Sequence, residues 1–112
     1  MPSRTTALAT AGLFAALWTT VATAQPAAER QRELVRLVRQ DCGSCHGMRL
    51  TGGLGPALTR EAMGDKPLDS IVATIFHGRP GTPMPPWRAL LDESDARWIA
   101  ERLIAGFPQE AR

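Results

Sequence analysis

The sequence predicts a small all-α domain. Three stretches place apolar residues at the spacing of one helix face, and segments rich in glycine and proline separate them. No stretch shows the sustained alternation of apolar and polar residues that is typical of a strand. The length of 112 residues favours one domain beside any targeting segment.

The first helical stretch begins after Pro26 and runs toward Cys42. Its apolar residues share one face at helical spacing. They are Leu34, Val35, Leu37 and Val38. Charged residues fill the remaining positions, and such charges are typical of the solvated side of a helix rather than of a binding face.

A loop rich in glycine follows His46 and contains Pro56. No strand precedes it and no Gly-Lys-Ser/Thr follows it, so it does not resemble a phosphate-binding loop. Thr59 is placed to cap a short helical piece that ends at Met63.

The next helix is expected to begin at Pro67, a residue favoured at the first helical position, and to end at Gly78. Its amphipathic stripe consists of Leu68, Ile71, Val72, Ile75 and Phe76. Residues 79–87 contain too many prolines for a helix or a central strand, and they predict an irregular loop.

The last helix is expected to begin near Asp92, with Asp95 in its acidic first turn. These carboxylates are interpreted as helix caps rather than as catalytic groups. The buried stripe consists of Ala96, Ile99, Ala100, Leu103, Ile104 and Phe107. Trp98 lies on the opposite side, where it either packs under a loop, the preferred interpretation, or stays exposed for a partner.

Cys42, Cys45 and His46 form a C-x-x-C-H run, the attachment signature of a c-type haem. Two thiols about one helical turn apart reach the two vinyl groups on one edge of a porphyrin, and the histidine then ligates iron. A redox disulfide normally lies near a βαβ pattern, and a structural zinc site needs four ligands. Neither context is present, so the sequence predicts one covalently bound haem c.

The second axial ligand has four candidates: Met48, Met63, Met84 and His77. Met48 is too close to His46 to reach the opposite face, and Met63 is better explained as a core residue. Met84 lies in the proline-rich loop, whose restricted backbone lowers the entropy cost of holding a thioether on iron. Met84 is therefore the predicted ligand, since His/Met ligation is common in cytochromes c. His77 either interacts with the last carbonyls of its helix or serves as an alternate ligand.

Residues 1–24 are interpreted as a signal peptide, cleaved after Ala24. Arg4 supplies the positive start, Ala7 to Trp18 is uncharged and mostly apolar, and Ala22-Thr23-Ala24 is a cleavage signal. The apolar run is shorter than the ~20 residues of a spanning helix, so no membrane span is expected after cleavage. Residues 25–112 are then expected to form a monohaem domain in the periplasm.

The formal net charge is only +2. Arginines are scattered among acidic residues, without the strong basic patch that indicates nucleic-acid binding. Charge therefore argues against nucleic acids as partners, and the expectation of redox protein partners rests on the predicted haem instead.

Four ordered segments together resemble the class I cytochrome c family over nearly the whole of residues 25–112. They are the C-x-x-C-H run, Gly55-Pro56-Ala57-Leu58, residues 81–87 and the helix from Asp92 to Ile104. The resemblance implies helices wrapped around the haem, with the first and last helices crossing beside it. It also implies that the Pro56 carbonyl accepts a hydrogen bond from Nδ1–H of His46, and that Trp87 packs near the haem edge.

Residues 41–58 and 77–87 are similar to the small periplasmic cytochrome c55X, or NirC-type, family of denitrification clusters. That resemblance implies an electron-transfer protein, not an enzyme, beside cytochrome cd1 nitrite reductase. The carrier either donates electrons to that reductase or accepts them during maturation of its haem d1. Two alternatives stay open: a small haem peroxidase or ligand sensor using His77 as distal group, and a non-carrier maturation factor of nitrite reductase that docks through Trp98.

Overall fold

Residues 24–108 are described by a computed structural model of the chain. All regular secondary structure within this range is helical, which confirms the predicted all-α class. The elements are α1 (Ala28–Leu37), a π-helical turn (Val38–Cys42), α2 (Gly43–His46), α3 (Arg60–Met63), α4 (Leu68–His77) and α5 (Glu93–Ala105). The predicted signal peptide falls on residues outside this range except Ala24, so its cleavage stays a prediction.

The first helical stretch, expected to run toward Cys42, continues to His46. The π-helical turn joins α1 to α2 without a break, so one helical segment runs from Ala28 to His46. The amide of Gly43 donates to the carbonyl oxygen of Val38, five residues earlier, instead of the usual four. This wider turn ends at Cys42, the first residue of the C-x-x-C-H run, and sets the rotation of that run relative to α1.

The core gathers the apolar stripes that the sequence predicts. Its buried residues are Leu34, Val38, Leu50, Met63, Ile71, Ile75, Leu91, Ala96, Trp98, Ile99, Ala100 and Leu103. Helix α5 packs along α4 and also contacts α3. Thr59 caps α3 as expected, because its hydroxyl accepts a hydrogen bond from the Ala62 amide at 3.3 Å. Pro67 directly precedes α4 and does not form its first residue.

Helix α5 begins with a capping box. The Asp92 carboxylate accepts from the amide of Asp95 at 2.8 Å, and the Asp95 carboxylate accepts from the amide of Asp92 at 3.3 Å. The Asp95 amide, followed by the Ser94 hydroxyl, lowers the pKa of Asp92 below its usual range. The capping interpretation of these carboxylates is confirmed.

Arg30 joins α1 to the start of α5. Its guanidinium donates to the Asp95 carboxylate at 2.7 and 3.1 Å and to the carbonyl oxygen of Leu90 at 2.9 Å. Asp95 is 3% exposed, so its negative charge has little access to water and depends on this partner.

Trp98 is buried, with 5% of its surface exposed. The chain reverses at Gly106, where φ is 98°, and brings Phe107 back against the indole with 6.4 Å between ring centroids. The guanidinium of Arg39 lies 5.4 Å from the centroid of the Phe107 ring. The preferred packing interpretation of Trp98 is correct, and the alternative of an exposed docking residue is wrong.

Among residues 24–108, no helix has both the length and the apolar character needed to cross a membrane.

Candidate haem-binding site

The two cysteines and His46 lie on the π-helical turn and α2. Cys42 is half-buried, Cys45 is exposed, and both are free thiols. Burial, together with the nearby Asp41 carboxylate, raises the pKa of Cys42 to about 11. Cys42 therefore keeps its proton at neutral pH, and the exposed Cys45 is the more accessible thiol.

The imidazole of His46 is held by a single main-chain acceptor. Nδ1 lies 2.7 Å from the carbonyl oxygen of Pro56, and a carbonyl oxygen only accepts, so Nδ1 carries the proton. In the neutral ring the lone pair is then on Nε2, which makes no hydrogen bond to another described residue. His46 is buried at 9% exposure, so its orientation is fixed. The ring therefore presents Nε2 as a metal-ligating atom.

The loop after His46 folds back against α2 through main-chain hydrogen bonds. The amide of Gly52 donates to the carbonyl of His46 at 2.8 Å, and the amide of Gly55 donates to the carbonyl of Cys45 at 2.8 Å. These bonds bring Gly55 against the imidazole. A Cβ atom at Gly55 would lie 2.7 Å from Cε1 and 2.8 Å from Nδ1 of His46, so no side chain fits there. Sequence reasoning placed Gly55 in a motif but did not find this contact.

Met84 is half-buried in the loop between α4 and α5. Gly78 begins this loop with φ of 70°, and a Cβ atom there would lie 2.6 Å from the nitrogen of Pro86. At the other end, the amide of Trp87 donates to the carbonyl of Ile75 at 3.1 Å. Both ends of the loop are thus fixed to the end of α4. Trp87 is half-buried and packs against the core.

His77 is the last residue of α4 and is exposed. Its ring stands edge-on to Phe76 with 5.0 Å between centroids. It lines a groove between α4 and α5 together with Asp69, Glu93 and Arg97. Among residues 24–108, no group of three or more His, Cys, Asp or Glu side chains is arranged to hold a metal ion, and the role of His77 as an alternate ligand stays a prediction.

The other two methionines among residues 24–108 are Met63 and Met48. Met63 is buried in the core at 6% exposure, and Met48 is 63% exposed. The structure therefore groups Cys42, Cys45, His46 and Pro56 in one short region and leaves Met84 on its own anchored loop.

These residues fit a haem c. Two free thiols would supply attachment points, and the oriented Nε2 would supply one iron ligand. The absence of a side chain at Gly55 leaves the imidazole ring room to stand beside the main chain. The thioether of Met84 would supply a second ligand of the type used by cytochromes c, and this assignment stays a prediction.

Comparison with known proteins also indicates a c-type cytochrome. The family model described as "Cytochrome C oxidase, cbb3-type, subunit III" matches residues 29–101. Cytochrome c55X of Stutzerimonas stutzeri is 64% identical over 86 residues, which cover 77% of this chain and 76% of that protein. Cytochrome c55X of Pseudomonas aeruginosa is 59% identical over 99 residues, 88% of this chain and 83% of that protein.

Two solved structures are also similar. The c-type cytochrome NirC superposes with a TM-score of 0.70 and 62% identity, covering 71% of this chain and 94% of that one. The dihydro-heme d1 dehydrogenase NirN in complex with DHE gives a TM-score of 0.59 and 34% identity, covering 69% of this chain but 17% of that one. The matches that span most of their own length are c-type cytochromes and not enzymes. The chain belongs to the cytochrome c55X family of small all-α c-type cytochromes.

Proposed function

We propose that this protein is a periplasmic one-electron carrier with a single covalently attached haem c. The observation that carries the proposal is the hydrogen bond from His46 Nδ1 to the Pro56 carbonyl oxygen. His46 directly follows Cys45 in the sequence, and both Cys42 and Cys45 are free thiols. The hydrogen bond leaves Nε2 as the ligating atom of a buried, oriented imidazole. The bound haem supplies a one-electron change of iron between its ferric and ferrous states.

Each residue has a separate task. Cys42 and Cys45 form the thioether attachments, and His46 ligates iron through Nε2. The Pro56 carbonyl holds the ring orientation and increases the basicity of the ligand. Met84 would supply the second protein ligand to iron, and a fully ligated iron favours electron transfer because it can change charge without gaining or losing a ligand.

The physiological setting is proposed to be nitrite reduction. The carrier either donates electrons to cytochrome cd1 nitrite reductase or accepts them during maturation of haem d1. The family membership supports this setting, as does the similarity to one portion of a dihydro-heme d1 dehydrogenase. The buried Trp98 gives no support to a non-carrier docking role.

The charge distribution of this chain indicates the charge expected on the docking surface of its partner. Residues 42–60 and 70–91, which include all four proposed haem-binding side chains, contain no aspartate or glutamate. They do contain four exposed arginines, at positions 49, 60, 79 and 88. A partner with carboxylates around its own redox centre is therefore favoured.

Ligation is tested by Met84→Ala, with Met48→Ala as the matched control. We expect Met84→Ala to remove the sulfur-to-iron charge-transfer band and lower the reduction potential, because a thioether ligand raises it. Met48→Ala should preserve both properties, since Met48 is exposed and adjacent to the proximal ligand. A charge-transfer band that survives Met84→Ala would contradict the proposal.

The direction of electron flow needs a separate experiment. The reduced holoprotein is mixed with oxidised cytochrome cd1 nitrite reductase, and the haem c spectrum is followed in time. Rapid reoxidation supports the donor role, whereas no reoxidation moves the function to haem d1 maturation. Mass analysis of the protein from the periplasm tests export, and a chain beginning at Gln25 is expected.

A further inference from the structure

The segment from Arg79 to Met84 is a small closed loop. The amide of Arg79 donates to the carbonyl oxygen of Met84 at 3.1 Å and joins the two ends. Inside it, the amide of Thr82 donates to the carbonyl oxygen of Arg79 at 3.1 Å and closes a four-residue turn. Pro80 and Gly81 occupy the central positions, and Gly81 has φ of 78°, as a type II turn requires.

The hydroxyl of Thr82 connects this turn to Met84. It donates to the carbonyl oxygen of Arg79 at 2.6 Å and accepts a hydrogen bond from the amide of Met84 at 3.3 Å. Both main-chain polar groups of Met84 are therefore bonded within the loop, its N–H to Thr82 and its carbonyl to Arg79. Among the side chains of residues 24–108, the Thr82 hydroxyl alone hydrogen-bonds to the Met84 main chain.

We propose that Thr82 is a positioning residue that holds Met84 in place for iron ligation, an inference that rests on the proposed function. A thioether is a weak ligand. The fraction of molecules in which it is bound to iron is therefore larger when its loop loses less conformational entropy on becoming ordered. The prolines restrict φ in the loop but do not bond Met84 to the turn. The Thr82 hydroxyl provides that bond, and losing it lets Met84 leave the iron more often.

The contribution of Thr82 is measured by the opening rate of the loop, that is, the rate at which Met84 leaves the iron. Ferric holoprotein is mixed with imidazole at concentrations where the rate no longer depends on imidazole, so that departure of Met84 limits the reaction. Thr82→Val keeps the side-chain shape and removes both hydroxyl hydrogen bonds. We expect the limiting rate to rise about tenfold, which corresponds to about 1.4 kcal/mol. Thr82→Ser restores the hydroxyl and should return the rate close to that of the unmodified protein.

Thr74→Val is the matched control. The Thr74 hydroxyl donates to the carbonyl oxygen of Ser70 at 2.8 Å on the exposed side of α4, so the same change removes a similar bond away from the loop. We expect no change in the opening rate. Thr82→Ala removes the same hydroxyl with less bulk and replaces Thr82→Val where the valine variant yields no holoprotein.

Two negative results have different meanings. Absence of the sulfur-to-iron charge-transfer band from the unmodified protein would overturn ligation by Met84, and with it the premise. Presence of that band together with an unchanged opening rate in Thr82→Val would overturn the role of Thr82 alone.

Discussion

Nδ1 of His46 donates to the main-chain carbonyl of Pro56 across 2.7 Å, and this bond determines which ring nitrogen is free. The acceptor belongs to the main chain, so a substitution of Pro56 does not delete it. The neighbouring Gly55 is different, because the space beside the imidazole exists only while residue 55 lacks a side chain. The orientation of the ligand is therefore sensitive to this glycine.

Gly55→Ala should displace the imidazole. Gly55 does not have a positive φ, so the new methyl group acts by contact rather than by backbone strain. We expect a loss of about 1–3 kcal/mol in unfolding free energy from overpacking, with a change in reduction potential and in the electron paramagnetic resonance spectrum. Gly43→Ala is the control, since its nearest non-bonded atom to the new Cβ lies at 3.4 Å in a helical conformation. Equal effects of both variants would contradict the contact at Gly55.

Arg30→Met should destabilise the holoprotein. It keeps much of the aliphatic side chain but leaves the buried Asp95 carboxylate without its ion-pair partner. We expect the unfolding free energy in guanidinium to fall by about 1–3 kcal/mol, less than for a fully buried pair because Arg30 is 36% exposed. The control is Arg97→Met, which breaks the exposed pair with Asp69 and should cost at most about 1 kcal/mol. A larger loss for Arg97→Met would refute this ranking.

Asp92→Ala should remove the cap of α5 in a pH-dependent manner. The pKa of Asp92 is lowered in the folded protein, so its contribution is present above the unfolded pKa and is lost as pH falls through the folded value. We expect a deficit of about 1 kcal/mol at neutral pH. The deficit should shrink below about pH 4, near the ordinary pKa of aspartate. Thermal melts of Asp92→Ala and of an exposed control, Asp65→Ala, check this, and a deficit that grows in acid would be the opposite of the expectation.

His77 is tested by comparing Met84→Ala with the double variant Met84→Ala/His77→Ala. If His77 replaces the missing thioether, the single variant gives a low-spin bis-histidine spectrum and the double variant does not. Because His77 is exposed at the end of α4 and adjoins the loop through Gly78, opening of that loop is what would bring it to iron. Identical spectra for the two variants would remove His77 from the ligand set.

Arg79→Gln should reduce the attraction of anionic reaction partners. Reduced holoprotein is oxidised by hexacyanoferrate(III), an anion, at increasing salt concentration. We expect the rate to fall with salt in the unmodified protein and to fall less steeply in Arg79→Gln. Arg36→Gln changes the net charge equally at an exposed position of α1, and its salt dependence should match that of the unmodified protein. If both variants lost salt dependence equally, the attraction would depend on the net charge of the protein and not on the position of Arg79.

Helix faces and caps were predictable because they depend on neighbours along the chain. The stripes of α4 and α5 and the caps at Thr59 and Asp92 follow from spacing of three or four residues. Burial of Trp98 did not follow from that spacing, because Phe107 reaches it only after the reversal at Gly106. The contact of Gly55 with His46 likewise depends on how a loop folds back, which local pattern does not specify.

The π-helical turn lets the residues after it face a direction that a uniform α-helix continuing from α1 would not give them. Upstream, Leu34 and Val38 must face the interior, while downstream the thiols must face the porphyrin. The wide turn takes up about one residue more than an ordinary α-helical turn, so the same residues wound as a uniform α-helix would rotate the attachment residues by about 100°, the angle between successive residues of an α-helix. The packing of α1 would survive such rewinding, but the cysteines would then face away from the macrocycle that they are to hold.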